Sequence, residues 1–432
     1  MKRLITLSLL AISLSAIAQS QPRILCGNEF LPDIMEQRIP GYKAAVRHSF
    51  DQAKQHSPQR QAGYTYTIPI VFHVVYGSPA ENLDDSIIMS QLQVLNDDYS
   101  RLNADTSNTI SYFDSVAADT HIRFVLQGIQ RVSTVNSFSF SFFGLPDSLI
   151  KFTAAGGDDA VDPDHYLNIW IVNIQASFFG QLLGYSYPPD SMANWPLGSA
   201  ATQKPYDGVV LDYRTVGANN PNPLNFGGMN LIERGRTGTH EVGHYLGLRH
   251  IWGDGATLGA NDCHQSDGID DTPFANTQSN FDCDTTRNSC TGVETYYGAD
   301  APDMVQNYMD YSAETCMNLF TKGQAELMQG TLDHSRPLLA TKTATAIKQI
   351  SPSALTIYPN PATGIVFIPY SENTNPYTSI QVSNMLGENI SLSQSAASGA
   401  VRLNMSSLPM GIYTIDITKG TQHIVKRVVV SR

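Results

Sequence analysis

His240-Glu241-Val242-Gly243-His244-Tyr245-Leu246-Gly247-Leu248-Arg249-His250 sets two imidazoles four residues apart, with a third beyond a glycine. On a helix, positions i and i+4 lie on one face, one turn apart. His240 and His244 can therefore reach one ion. Gly247 can take the left-handed conformation that ends a helix. The chain then turns and brings His250 round as a third ligand. Three neutral imidazoles leave the fourth position of a zinc ion open to water, the catalytic rather than the closed structural arrangement. Glu241 is next to His240 but points elsewhere, where it can take a proton from that water as general base. A helix of merely core-satisfied histidines, or a purely structural zinc, is the weaker reading, because structural sites favour cysteine ligands.

Around this helix the chain alternates strands and helices. Thr67 to Tyr76 reads as a buried strand, and Asp84 to Leu102 as a helix with apolar residues at helical spacing. Ile122–Ile129, Tyr166–Ile174 and Gly208–Tyr213 read as further strands. Together with a long helix at 236–248 they predict a mixed α/β (α+β) lobe. Residues 253–300 lose periodicity and are rich in Gly, Asp, Asn, Thr and Cys; a loop of that length needs a staple or a function. Gln324–Leu332 reads as a closing helix, and short alternating strands from Leu355 onward predict a small all-β sandwich.

Met1-Lys2-Arg3, the apolar run Leu4–Ile17 and Ala16-Ile17-Ala18 read as a signal peptide cut near Ala18. The following stretch, Gln19 to Gln59, is polar and reads as irregular. With 27 Lys+Arg against 39 Asp+Glu, the net charge of −12 argues against nucleic acid or an anionic membrane as partner. No later run of apolar residues is long enough to span a bilayer. Five cysteines is an odd number, so at least one stands outside any intramolecular pairing. The domain reading is 1–18 signal peptide, 19–59 pro-segment, 60–337 catalytic domain, 338–353 linker and 354–432 C-terminal sandwich.

His-Glu-x-x-His-x-x-Gly-x-x-His resembles the zinc signature of the metzincin metallopeptidases. Asn307-Tyr308-Met309-Asp310-Tyr311 resembles their Met-containing turn. Within that clan, His250-Ile-Trp-Gly-Asp254, Asp270-Asp271-Thr272-Pro273 and Cys316-Met-Asn-Leu-Phe-Thr321 resemble the pappalysins. The resemblance implies a metzincin fold with a mixed sheet and a secreted zinc endopeptidase made as a latent zymogen. It implies Met309 as an apolar floor under the imidazoles and the Tyr311 hydroxyl as oxyanion stabiliser. Leu183, Gly184 and Tyr185 would be the edge strand on which an extended substrate adds. Asp254, Asp267, Asp270, Asp271 and Thr272 would supply oxygens to a structural calcium ion. Some bacterial relatives cleave before arginine through an acidic pocket floor.

Sequence alone allows three pairings of Cys263, Cys283, Cys290 and Cys316; the family pattern implies Cys263 with Cys290 and Cys283 with Cys316. Latent metzincins often place a pro-segment cysteine on the metal, and Cys26 resembles that switch, a free or intermolecular thiol being the alternative. Leu355–Gly364, Met385-Leu-Gly387, Leu408–Thr414 and Lys426–Val430 resemble the sorting domain of the bacterial type nine secretion system. A carbohydrate- or protein-binding sandwich is the competing reading of that segment. The expected partners are protein or peptide substrates and the secretion machinery, for a monomer that is secreted or surface-attached after removal of both terminal segments. The rival class is an adhesin whose zinc is structural.

Overall fold

A computed structural model describes residues 24–56, 64–141, 144–177, 180–189, 204–226, 229–232, 234–253, 263–292, 296–344, 355, 357–370, 377–384, 388–397, 399–419 and 422–431. The expected signal peptide, the Asp254 position, the cut near Gln59 and Met385–Gly387 lie outside them. The chain forms two compact units, divided at Thr343/Ala344.

The first unit is built on the 13-residue strand β2 (Tyr64–Tyr76), after the three-residue strand β1 (Ile24–Cys26) and the helices α1 (Leu31–Arg38) and α2 (Tyr42–His56). α3 (Asp85–Tyr99), β3 (Ile122–Ser133), β4 (Leu167–Val172), β5 (Gln181–Ser186) and β6 (Val209–Asp212) follow. Then come the active-site helix α4 (Arg236–Tyr245), α5 (Lys322–His334) and β7 (Thr341–Ala344). The sheet runs β1-β5-β6-β4-β2-β7, with β3 also on β2. β2, β3, β4 and β6 are mutually parallel, whereas β5 is antiparallel to β6 and β1 is parallel to β5.

Both faces of the sheet are covered at β2, β4, β5 and β6, which is why these strands read as near-continuous apolar runs, whereas β3 is exposed at Val125 and Leu126. On one face Ile68, Ile70, Phe72 and Val74 pack with α3, α4 and α5 through Leu95, Val242 and Met328. On the other, Trp170, Leu182, Tyr185 and Val210 pack with Leu31, Met35 and Tyr42. Each such buried side chain is worth about 1.5–3 kcal/mol.

Two differences from the sequence reading stand out. Residues 31–38 and 42–56 are helical rather than irregular, and in α2 a narrow buried stripe (Tyr42, Ala45, Ser49, Phe50, Ala53) anchors an otherwise charged helix. The expected linker begins with β7, which hydrogen-bonds to β2.

The second unit has two antiparallel sheets around one core. β8 (Ile365–Pro369), β11 (Gln394–Ala397) and β12 (Ala400–Asn404) form one, in the order β8-β12-β11. β9 (Ser379–Ser383), β10 (Asn389–Ile390), β13 (Gly411–Lys419) and β14 (Gln422–Val430) form the other, in the order β10-β9-β13-β14. Val366, Ile368, Leu403, Ile415, Ile417 and Val428 fill the space between them.

Candidate metal centre

All ten residues of α4 are buried, so its histidines are fixed by packing on every side. Gly247, at φ +96°, turns the chain after the helix and lets His250 fold back. The Nε2 atoms of His240 and His250 each lie 3.1 Å from Nε2 of His244. The opposite nitrogens are occupied: His240 Nδ1 faces the Tyr308 carbonyl at 2.7 Å, and His244 Nδ1 faces that of Leu248 at 2.9 Å. A carbonyl only accepts, so these Nδ1 atoms carry the protons and the Nε2 lone pairs converge. Converging lone pairs repel unless a cation sits among them. Tetrahedral ligands 2.0–2.1 Å from a zinc ion stand about 3.3 Å apart, close to what the imidazoles adopt. Burial pushes His240 down to about 4, and His244 and His250 well below their ordinary value, keeping all three neutral as ligands must be.

Cys26 completes the cluster: its sulfur and one nitrogen of each histidine lie within 4.8 Å of one another. Burial first, and the neighbouring Glu241 carboxylate second, raise this thiol well above its usual value. The Asn28 N–H, 3.4 Å from the sulfur, works the other way, and a cation among these groups would favour the thiolate far more strongly. The Glu241 carboxylate oxygens are buried with no hydrogen-bond partner of ordinary geometry, and burial raises the group to about 8.

Met309 is fully buried below the cluster. A Cβ at Gly243 would stand 2.6 Å from its sulfur, so the helix admits that floor only because position 243 lacks a side chain. The turn is pinned from both sides. The Met309 N–H donates to Asn307 Oδ1 at 2.9 Å, and Asn307 exchanges two amide hydrogen bonds with Gln324 in the first turn of α5. The Asp310 carboxylate accepts from Ser312 Oγ and from the Ser279 hydroxyl and N–H. Tyr311 lies against His240, His250 and Trp252, and its hydroxyl accepts from the Cys26 N–H at 3.0 Å.

β1 lies along β5, pairing Ile24 with Gln181, Leu25 with Leu182 and Cys26 with Gly184. Asn28 extends the ladder with its side chain: Nδ2 donates to the Ser186 carbonyl at 3.1 Å, and Oδ1 accepts the Ser186 N–H at 3.0 Å. The expected substrate strand Leu183–Tyr185 is thus covered by the chain's own N-terminal segment.

Residues 155–333 match the family model described as pregnancy-associated plasma protein-A. An extracellular metalloprotease of Verticillium alfalfae is 31% identical over 264 residues, 60% of this chain and 73% of the relative. The chain belongs to the pappalysin family. A second extracellular metalloprotease, from Arthroderma benhamiae, is 28% identical over 317 residues, 72% of this chain and 88% of the relative. Among solved structures, mature mirolysin of Tannerella forsythia with a cleaved peptide is 36% identical, covers 64% of this chain and 95% of its own, and has a TM-score of 0.52. A promirolysin mutant of the same organism, 35% identical, reaches 73% of this chain and 96% of its own at a TM-score of 0.59. Residues 356–431 match the model of a secretion system C-terminal sorting domain. This pappalysin is an extracellular metalloendopeptidase. Among the described residues, no helix is long and apolar enough to cross a membrane.

Disulfides join Cys263 to Cys290 and Cys283 to Cys316, leaving Cys26 as the free, buried cysteine. The pocket beside His240 and Glu241 is lined by Leu183, Phe281 and Met317 and by two buried carboxylates, Asp310 and Glu314. Glu314 accepts from the Thr237 N–H and hydroxyl and from the Arg234 N–H, and so holds the start of α4. Behind it Arg236 is forked onto Asp105 at 2.7 Å through both terminal nitrogens. The sequence reading missed Asn28, Glu314 and Arg236; the position of Asn28 two residues from Cys26 was its one available signal.

Of the residues read as calcium ligands, Asp254 lies outside the described residues, and the other four have partners within the protein. Asp271 accepts from Thr321 Oγ1 and the Gly323 N–H and so holds the start of α5. Asp270 is exposed and pairs with Lys54. Thr272 donates to Asp267 Oδ1 at 2.6 Å. Asp267 Oδ2 alone is buried without a partner, and burial raises that carboxyl to about 7.

Proposed function

We propose that the chain is a zinc-dependent endopeptidase made in a latent form, with His240, His244 and His250 as zinc ligands and Glu241 as general base. The observation that carries this reading is the convergence of three Nε2 atoms, with Nδ1 of His240 and His244 tied back to carbonyls, beside the buried Glu241 carboxylate. A zinc ion held there supplies Lewis acidity, lowering the pKa of water to about 7 and polarising the scissile carbonyl. Glu241 takes the proton from the attacking water and passes it to the leaving amine. Once the Cys26 N–H leaves it, the Tyr311 hydroxyl is free to donate to the developing oxyanion. Met309 keeps the underside dry, and β5 offers its free edge to an extended peptide.

In the latent form the Cys26 thiolate would hold the ion together with the three histidines and so exclude the reactive water. The added coverage of promirolysin over mature mirolysin supports residues 19–59 as the inhibitory segment, with the catalytic domain at 60–337. The sandwich at 354–432 serves as the export address, removed after secretion. Asp310 and Glu314 give the specificity pocket an acidic wall, which suits a basic residue after the cut. A monomer suffices, since one chain supplies every group of the site.

Metal analysis of the purified enzyme with a peptide-library digest tests the reading. One equivalent of zinc, loss of cutting on chelation and its return with zinc are expected. Full cutting by metal-free protein would overturn the zinc-dependent mechanism, and bound zinc without any cutting would favour the adhesin-like alternative with its structural zinc.

A further inference from the structure

Cys26 has a role in latency under the reading above, on which this inference rests, yet most of residues 24–56 lies away from the metal ligands. Tyr42 and Ala45 of α2 belong to the core cluster around Trp170, while Phe50 and Ala53 belong to the cluster around the active-site helix. One helix thus bridges the two cores of the catalytic lobe. Its buried stripe includes Ala45, Ser49 and Ala53, small residues that let two helices lie close.

The closest approach is to Gly330 on α5. A Cβ built there would stand 2.3 Å from the Ala53 carbonyl oxygen, and the three nearest atoms all belong to Ala53. Glycine in mid-helix is a destabilising choice, and Ala53 is the group that requires it. Further along, Phe50 lies 4.0 Å beneath the Arg249 guanidinium. The Lys54 ammonium donates to the Gly268 carbonyl at 2.7 Å and to Asp270 at 3.1 Å. None of these contacts uses a metal ligand.

We infer that this groove on α5 is a second docking surface, for the chain's own α2, and that it keeps the severed segment 24–56 in the cleft after the chain is cut ahead of β2. The released product is then itself an inhibitor, and a single cut does not complete activation. β1 and α2 are joined by the short helix α1, so the two anchors bind as one bivalent ligand. Such linkage tightens binding by about 10²–10⁴ over either anchor alone.

The test uses the processed enzyme, wild type and Gly330→Ala, with peptides 24–56 and 24–41 as inhibitors of its cutting of a reporter peptide. Peptide 24–56 is expected to inhibit at concentrations at least about a hundredfold below peptide 24–41. Gly330→Ala should weaken inhibition by 24–56 at least about tenfold through the clash with Ala53. Its basal turnover and its sensitivity to 24–41 should not change. Phe50→Ala in the peptide, which leaves the enzyme untouched, should cost at least about tenfold as well. Equal potency of the two peptides, or wild-type sensitivity of Gly330→Ala to 24–56, overturns the second dock. Peptide 24–56 carrying Cys26→Ala separates the two readings. Undiminished potency of that peptide removes Cys26 from the metal and leaves the dock standing.

Discussion

α4 and β1 supply two walls of the same cavity, one from inside the core and one from the edge of the sheet. α4 is buried along its whole length, and carbonyls from outside the helix hold two of the imidazoles. It cannot leave its place without unfolding the lobe. β1 has three residues and is held by main-chain hydrogen bonds to β5, by the Asn28 amide and by the Cys26 N–H on Tyr311. Under the proposed latency it leaves with the fold intact. The site is thus preorganised, and under that latency the means of silencing it is an added strand. Breaking either wall should therefore have a different signature.

The largest expected effect is on the α4 side. Glu241→Ala should lower peptide cutting by at least about a hundredfold while elemental analysis of the processed enzyme finds the zinc retained, because Glu241 is not itself one of the three proposed histidine ligands. Lost zinc or surviving activity would break the distinction between base and ligand. On the β1 side, Cys26→Ala should shorten the time course of pro-segment loss at least about tenfold, since the segment's bond to the metal is removed. Followed by gel in the unprocessed form, unchanged kinetics would make Cys26 an incidental thiol. Asn28→Ala removes two hydrogen bonds of about 1 kcal/mol each. It should weaken inhibition by peptide 24–56 by about ten- to thirtyfold without altering the processed enzyme.

The smallest effect concerns the loop behind the site. Excess calcium should raise the melting temperature of the processed enzyme by about 2–4 °C, and Asp267→Ala should abolish the rise. A flat response would return Asp267 to the status of a buried carboxyl that stays protonated.

The contrast also governs what could be read from residues alone. His240, Glu241, His244 and His250 are legible because helical geometry turns sequence spacing into spatial spacing. Met309 and Tyr311 are legible by resemblance. β2, β4 and β6 of the central sheet are legible because burial on both faces leaves unbroken apolar runs. α2 was hidden because Ala45, Ser49 and Ala53 fill its buried stripe, so its periodicity rests on Tyr42 and Phe50. Asp270 and Asp271 are ambiguous for a different reason. A carboxylate that holds a helix start, or pairs with Lys54, looks the same in sequence as one that holds an ion. Glu314 and the Arg236–Asp105 fork depend on partners 77 and 131 residues away, beyond any local pattern.

The two disulfides overlap in chain order, since 283 falls between 263 and 290, and 290 between 283 and 316. A single break in the backbone anywhere from 263 to 316 therefore leaves the two pieces joined by at least one sulfur bridge. For an endopeptidase that meets its own exposed loops at every collision, this is a topological insurance. The irregular wall of the pocket survives a nick in place, and the damage shows as two fragments only once the bridges are reduced.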